Sequence, residues 1–163
     1  KTITIDSIIK NDQELPPALQ DLLNQIEGIE IGLRTLINDR LIGINEDPFN
    51  SYVGENVRIR TDQKINSYLK KYPNESPTKY EAFRKKLDFL TLGELKDLII
   101  KKSCWGEFEA QFGSKPNVEM RFNQLFSLRN QLAHNNELND VMIKDGEAAI
   151  LWFKGVLNTQ NVE

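Results

Sequence analysis

Apolar residues recur every three or four positions over most of the chain, which is the period of an amphipathic α-helix. The clearest run follows Pro16 and predicts one long helix from about residue 17 to 42. Pro17 suits its first turn, where a missing N–H leaves no hydrogen bond unmade, and Gly28 and Gly32 weaken it modestly. The apolar positions of this run are Leu19, Leu22, Leu23, Ile26, Ile29, Leu33, Leu36 and Ile37.

Further helices are predicted between polar breaks such as NEDPFNS and KYPNESP. Thr91 is the expected N-cap of one of them, with Glu94 closing a capping box. The last helix is expected to be capped by Asn139 or Asp140, with Met142, Ile150, Phe153 and Leu157 facing inward. The predicted ranges are 48–71, 78–89, 91–102 with one or two more turns after it, 116–133 and 140–157. The fold class is therefore all-α, a bundle of about five or six mostly antiparallel helices.

The first segment has a different pattern, because KTITIDSIIKND alternates apolar and polar residues. It fits a short strand, an extended arm or the end of a linker. We assign residues 1–14 to an N-terminal arm or linker remnant and residues 15–163 to one helical domain. Since residue 1 is Lys rather than Met, we expect a fragment or a processed form of a longer protein.

Composition narrows the function by excluding several classes. The chain has 163 residues and a net charge of −3, so it lacks the basic excess of a protein that grips duplex DNA nonspecifically. No apolar run approaches the length of a membrane span. The single cysteine, Cys104, excludes an internal disulfide, and with the single histidine, His134, it cannot build a typical zinc site. We expect a cytoplasmic protein without a metal or other cofactor.

The single histidine belongs to the most informative stretch, SLRNQLAHNN, which spans residues 127–136. Arg129 precedes His134 by five residues, and Asn130 and His134 are four apart, so these two share one face of a helix. A structural explanation is available, because cations near a helix C-terminus interact well with its last carbonyls. The alternative is a site in which Arg129 and His134 reach a common space at the helix end.

Three segments in order resemble one family. RNQLAH has the R-N-x-x-A-H form found in HEPN domains (higher eukaryotes and prokaryotes nucleotide-binding). IEIGLRTLI at 29–37 resembles their first-helix pattern, and LTLGELKDLIIKKSCWGEF at 90–108 resembles a later segment of the prokaryotic branch. The resemblance covers residues from about 17 to 157 and implies a HEPN-like helical domain.

The resemblance also implies a function. Many HEPN domains are homodimers in which two such motifs face one cleft, and many of those are metal-independent endoribonucleases. His134 would then act as the acid or base and Arg129 as the phosphate-binding cation, while Asn130 would orient His134 or contact the phosphate. Glu30 and Arg34 match first-helix positions, with Glu30 as a polar support for Arg129. The expected partners are single-stranded RNA or tRNA, a second copy and further domains of a defence or RNA-processing protein.

Two other functions remain open at this point. HEPN domains also serve as noncatalytic modules for RNA or nucleotide binding and dimerisation, which the net negative charge favours. The chain is alternatively a regulatory or scaffolding tail of a larger protein.

Overall fold

The computed structural model describes residues 15–134 and 138–158, and these residues form α-helices and short 3-10 helices without a strand. The all-α prediction is confirmed. The residues assigned to an N-terminal arm lie outside the described part of the chain. The α-helices within it are α1 Pro17–Ile42, α2 Pro48–Tyr52, α3 Glu55–Lys71, α4 Phe83–Leu87, α5 Leu92–Ile100, α6 Glu109–Phe112, α7 Lys115–His134 and α8 Asp140–Asn158. The 3-10 helices are Pro77–Glu81 and Trp105–Glu107.

Eight described α-helices replace the five or six that were predicted. The predicted helix 48–71 divides into α2 and α3, and the turns expected after 91–102 include a separate helix, α6, while the predicted helix 78–89 becomes a 3-10 helix followed by α4. The expected helix 48–71 breaks after α2, where Val53 adopts an extended conformation with only 4% of its surface exposed. The expected helix 78–89 breaks at Ala82, whose ψ of 136° separates a 3-10 turn from α4. At Val53 the burial of an apolar side chain outweighs helix propensity, which is a weak determinant of structure.

Other predicted boundaries agree with the structure. α1 begins at Pro17 and ends at Ile42, as its apolar period indicates. Thr91 caps α5, and its hydroxyl and the Glu94 carboxylate form the reciprocal capping box. Asn139 caps α8 by accepting a hydrogen bond from the Val141 N–H at 2.8 Å. Local capping chemistry was therefore readable from the sequence.

The fold divides into two compact units. The terminal unit comprises the described residues within Lys1–Ile31 and Pro116–Glu163, and the central unit is Gly32–Lys115. The core of the terminal unit consists of Leu23, Ile26, Ile29, Val118, Phe122, Leu125, Leu128, Leu132, Ala149, Ile150 and Phe153. In the central unit, the fully buried side chains include Leu33, Leu36, Leu41, Leu87, Leu95 and Phe108.

Helices α7 and α8 of the terminal unit are antiparallel. The rings of Phe122 and Phe153 meet edge to face with centroids 4.9 Å apart, and Leu128 packs on Gly146. Residues later in α7 therefore contact residues earlier in α8, as expected for antiparallel helices. An added Cβ at Gly146 would lie 2.4 Å from Leu128 Cδ2, so the helices approach closely only because this residue has no side chain.

Candidate functional site

The sequence motif occupies the last two turns of α7. The buried face of this helix is made by Leu125, Leu128 and Leu132, and burial of these leucines against the rest of the unit fixes how the helix is rotated. Arg129 follows directly on Leu128 and is half-buried, whereas Asn130 and His134 are exposed. The apolar period of α7 thus decides which motif side chains reach solvent.

Arg129 forms an ion pair with Glu30 of α1. Its Nε lies 3.2 Å from Glu30 Oε1, and the Glu30 side chain is 10% exposed while that of Arg129 is 39% exposed. Glu30 lies four residues after buried Ile26, so it occupies a core position of α1. A carboxylate there needs a cation, because burying an isolated charge is costly. The pair orients the guanidinium at one edge of the motif.

His134 lies on a different side of α7. Five residues of an ideal helix turn through about 500°, which separates Arg129 and His134 by about 140° around the axis. Asn130 and His134 are four apart and both exposed, so they lie together on the solvent side. Within one chain the arginine is therefore directed to α1 and the imidazole to solvent.

Arg34 is engaged in the central unit. Its Nε donates to the Leu87 carbonyl at 3.0 Å and its Nη2 to the Leu90 carbonyl at 3.1 Å. These carbonyls belong to the turn that joins α4 and α5. The arginine stabilises that turn, and its supporting role in a catalytic site stays a prediction.

A groove on the terminal unit was not foreseen from the sequence. It has a volume of about 490 Å³ and lies between α7 and α8. We call it the α7–α8 groove. Met142, predicted to face inward, is instead partly exposed and lines it, as do Glu119, Met120, Asn123, Ser127 and Asp145.

A second cavity of about 240 Å³ lies in the central unit, with an apolar lining that includes Val53, Leu90 and Leu98. Its polar rim is occupied by contacts of the fold itself. Glu94 accepts from the Thr91 N–H and forms an ion pair with Arg60, and Lys101 Nζ donates to the Tyr52 carbonyl at 2.9 Å. These contacts make the rim a structural element.

Cys104 and the carboxylates provide little for other chemistries. Burial raises the pKa of the Cys104 thiol, and its surface is 0% exposed, which disfavours the nucleophilic thiolate. Among the described residues, no group of three His, Cys, Asp or Glu side chains is arranged to hold a metal ion. In the same part of the chain, no helix is long and apolar enough to cross a membrane.

No known family, curated protein or solved structure matches this chain. The HEPN resemblance therefore depends on the sequence segments quoted above.

Proposed function

We propose that this chain is a HEPN-type, metal-independent endoribonuclease domain of a larger defence or RNA-processing protein, acting on RNA as a homodimer. The observation that carries the proposal is the state of the motif at the end of α7. Arg129 is oriented by a buried carboxylate, and His134 is exposed to solvent together with Asn130. A guanidinium fixed in direction and an accessible imidazole are the two groups that metal-free RNA cleavage requires.

The proposed reaction uses the 2′-OH of the RNA as nucleophile. An imidazole of His134 accepts the 2′-OH proton while the 2′ oxygen forms a bond to phosphorus. The bond from phosphorus to the 5′ oxygen breaks, and that oxygen receives a proton from a second imidazole or from water. The products are a 2′,3′-cyclic phosphate and a 5′-hydroxyl. Arg129 stabilises the phosphorane-like transition state, because its fork of N–H donors matches phosphate oxygens.

A second copy of the chain completes this site. Within one copy, about 140° separates Arg129 from His134 around the axis of α7. A two-fold axis beside the ends of two α7 helices would place the imidazole of one copy opposite the guanidinium of the other. Symmetric dimers are the commonest oligomers, and duplication supplies both the acid and the base of the reaction. Asn130 orients His134 or contacts the scissile phosphate.

The proposal is tested by incubating the protein with single-stranded RNA and tRNA in EDTA. We expect cleavage by the wild type, with cyclic phosphate ends, and a loss of about 10²- to 10⁴-fold in His134→Ala, the usual contribution of a general acid or base. Gln20→Ala, at a partly exposed position of α1, is the control and should cleave normally. Absence of cleavage by the wild type, or equal cleavage by His134→Ala, rejects the nuclease.

A noncatalytic RNA-binding and dimerising module is the second candidate. The observation that favours it is the net charge of −3 together with the many central-unit cations that contact backbone carbonyls. Such a module would bind RNA without cutting it. The slope of the logarithm of the RNA-binding constant against the logarithm of the salt concentration should then become shallower in Arg129→Gln by the amount that corresponds to about one phosphate contact.

A further inference from the structure

The surface chemistry of the α7–α8 groove disfavours the phosphate groups of a nucleic acid and suits its bases. None of the described residues that line it is cationic, and it carries the carboxylates of Glu119 and Asp145. A phosphate would be repelled by this surface. A nucleobase is neutral, and its amino and imino groups are hydrogen-bond donors that carboxylates accept.

The remaining lining completes a site for a flat, partly polar ring. Met120 and Met142 offer polarisable thioethers that pack favourably against aromatic rings. Asn123 and Ser127 offer hydrogen-bonding side chains on the α7 wall. Single-stranded RNA is usually recognised in this manner, through one face of the base and its Watson–Crick edge.

The groove lies on the same side of α7 as His134. Ser127 and His134 are seven residues apart, so an ideal helix places them about 20° apart in direction and about 10.5 Å apart along the axis. Both belong to the exposed stripe of α7 that also includes Met120, Asn123 and Asn130. An RNA strand whose phosphate lies at His134 can therefore place a neighbouring base in the groove.

Guanine fits this groove better than the other bases. Its Watson–Crick edge presents N1–H and the N2 amino group side by side, and one carboxylate accepts from both with its two oxygens. Adenine and cytosine offer an amino group next to an acceptor, which would face the carboxylate unfavourably. Uracil offers a single imino donor flanked by acceptors.

We propose that the α7–α8 groove binds a single-stranded guanine that flanks the cleaved bond and so sets the sequence preference of the enzyme. This inference rests on the proposed nuclease function, since that function places the RNA strand at His134. The groove nevertheless makes its own prediction, which is selective binding of guanine whether or not the RNA is cut.

The test uses the methionines as reporters. Met120 and Met142 are the two methionines of the chain, and both line the groove. The protein is labelled with ¹³C at the methionine methyl groups and titrated with GMP, IMP, AMP, CMP and UMP. IMP is the matched ligand control, because it differs from GMP only in lacking the N2 amino group.

We expect both methyl resonances to shift with GMP, and GMP to bind about tenfold more tightly than IMP, since a hydrogen bond to a charged acceptor contributes about 1.5 kcal/mol. Combining Asp145→Asn with Glu119→Gln should abolish the difference between GMP and IMP. Combining Asp21→Asn with Glu27→Gln, at two exposed carboxylates of α1, changes the net charge equally and should keep the difference. Unshifted methyl resonances with GMP, or equal responses to all nucleotides, overturn the guanine site.

Cleavage of matched oligonucleotides with and without guanine separates the two proposals. If RNA is cut without guanine preference and the methyl groups do not respond, the groove inference fails and the nuclease stands. If the methyl groups respond selectively to GMP and no RNA is cut, the guanine site stands and the nuclease fails.

Discussion

Arg34 of the central unit and Arg129 of the terminal unit are held by different kinds of partner. Several central-unit cations, Arg34 among them, donate to backbone carbonyls that end helices or form turns, while others form ion pairs with carboxylates, as Arg60 does with Glu94. Arg34 binds Leu87 and Leu90, Lys101 binds Tyr52, and Arg58 Nη1 lies 2.6 Å from the Val53 carbonyl. In the terminal unit, Arg129 is paired with a carboxylate, and the histidine beyond it is exposed.

This difference shows which of the two arginines is available for the role that the sequence resemblance implies. The proposed HEPN resemblance aligns both Arg34 and Arg129 with positions of its pattern, and their contacts differ. The guanidinium of Arg34 satisfies carbonyls of a turn, which is a structural task. Arg129 remains 39% exposed while Glu30 fixes its direction, an arrangement that leaves it available to an anionic substrate.

The largest difference in stability is expected between the variants Arg34→Ala and His134→Ala. Arg34→Ala removes charged donors from two carbonyls and should lower the free energy of unfolding by about 2–3 kcal/mol. His134→Ala removes an exposed side chain and should change that free energy by about 0.5 kcal/mol or less. Urea denaturation of both variants measures the contrast. A comparable loss in His134→Ala would mean that the histidine is structural.

Substitution of Gly146 tests how closely α7 and α8 pack against each other. Gly146→Ala forces a Cβ into Leu128 and should lower the free energy of unfolding by about 2 kcal/mol, as overpacking commonly does. Gly155→Ala, on the same helix with nothing within 4 Å of an added Cβ, should raise it by up to about 1 kcal/mol. Thermal or chemical denaturation decides, and a neutral Gly146→Ala would contradict the packing described.

Glu30 tests whether the ion pair positions Arg129. Water screens the half-exposed arginine, so Glu30→Gln should cost about 1 kcal/mol of stability or less. RNA cleavage should fall by up to about a hundredfold, because a misplaced catalytic group is ineffective. Glu27→Gln, one turn earlier on α1, is the matched control with normal cleavage expected. Unchanged cleavage in Glu30→Gln would leave the pair without a functional role.

The ionisation of Cys104 should have the smallest effect on the free energy of unfolding at neutral pH. Desolvation raises the pKa of its thiol above the ordinary value of 9.0. The neutral thiol is therefore favoured in the folded state, and its stabilising contribution is complete below pH 9.0 and declines as the pH rises through the raised value. A thiol reagent should label the native protein at least about a hundredfold more slowly than the unfolded one. Equal labelling rates would show that Cys104 is accessible.

The sequence predicted the elements whose signals are local. The bounds of α1, the capping box at Thr91 and the cap at Asn139 follow from apolar period and capping chemistry. The break at Val53 was missed because it arises from tertiary burial, which local propensity does not encode. The all-α character was readable as well, whereas the number of helices was underestimated.

The candidate site was only partly readable. Arg129, Asn130 and His134 were singled out from the R-N-x-x-A-H resemblance, and their catalytic roles stay a prediction. The same resemblance suggested Glu30 as a support for Arg129, and the structure pairs these two side chains. Gly146 and the α7–α8 groove gave no comparable signal, since both depend on how two helices meet in space. Met142 was placed in the core for the same reason, because period alone cannot tell a groove wall from a buried face.

The most direct test of the central claim is complementation between two inactive variants. Arg129→Gln retains His134, and His134→Ala retains Arg129, so each should fail to cleave RNA by itself. If the imidazole of one copy acts with the guanidinium of the other, mixing the two variants under conditions of subunit exchange should restore part of the wild-type rate. A mixture that remains as inactive as its components would contradict a site shared between two copies.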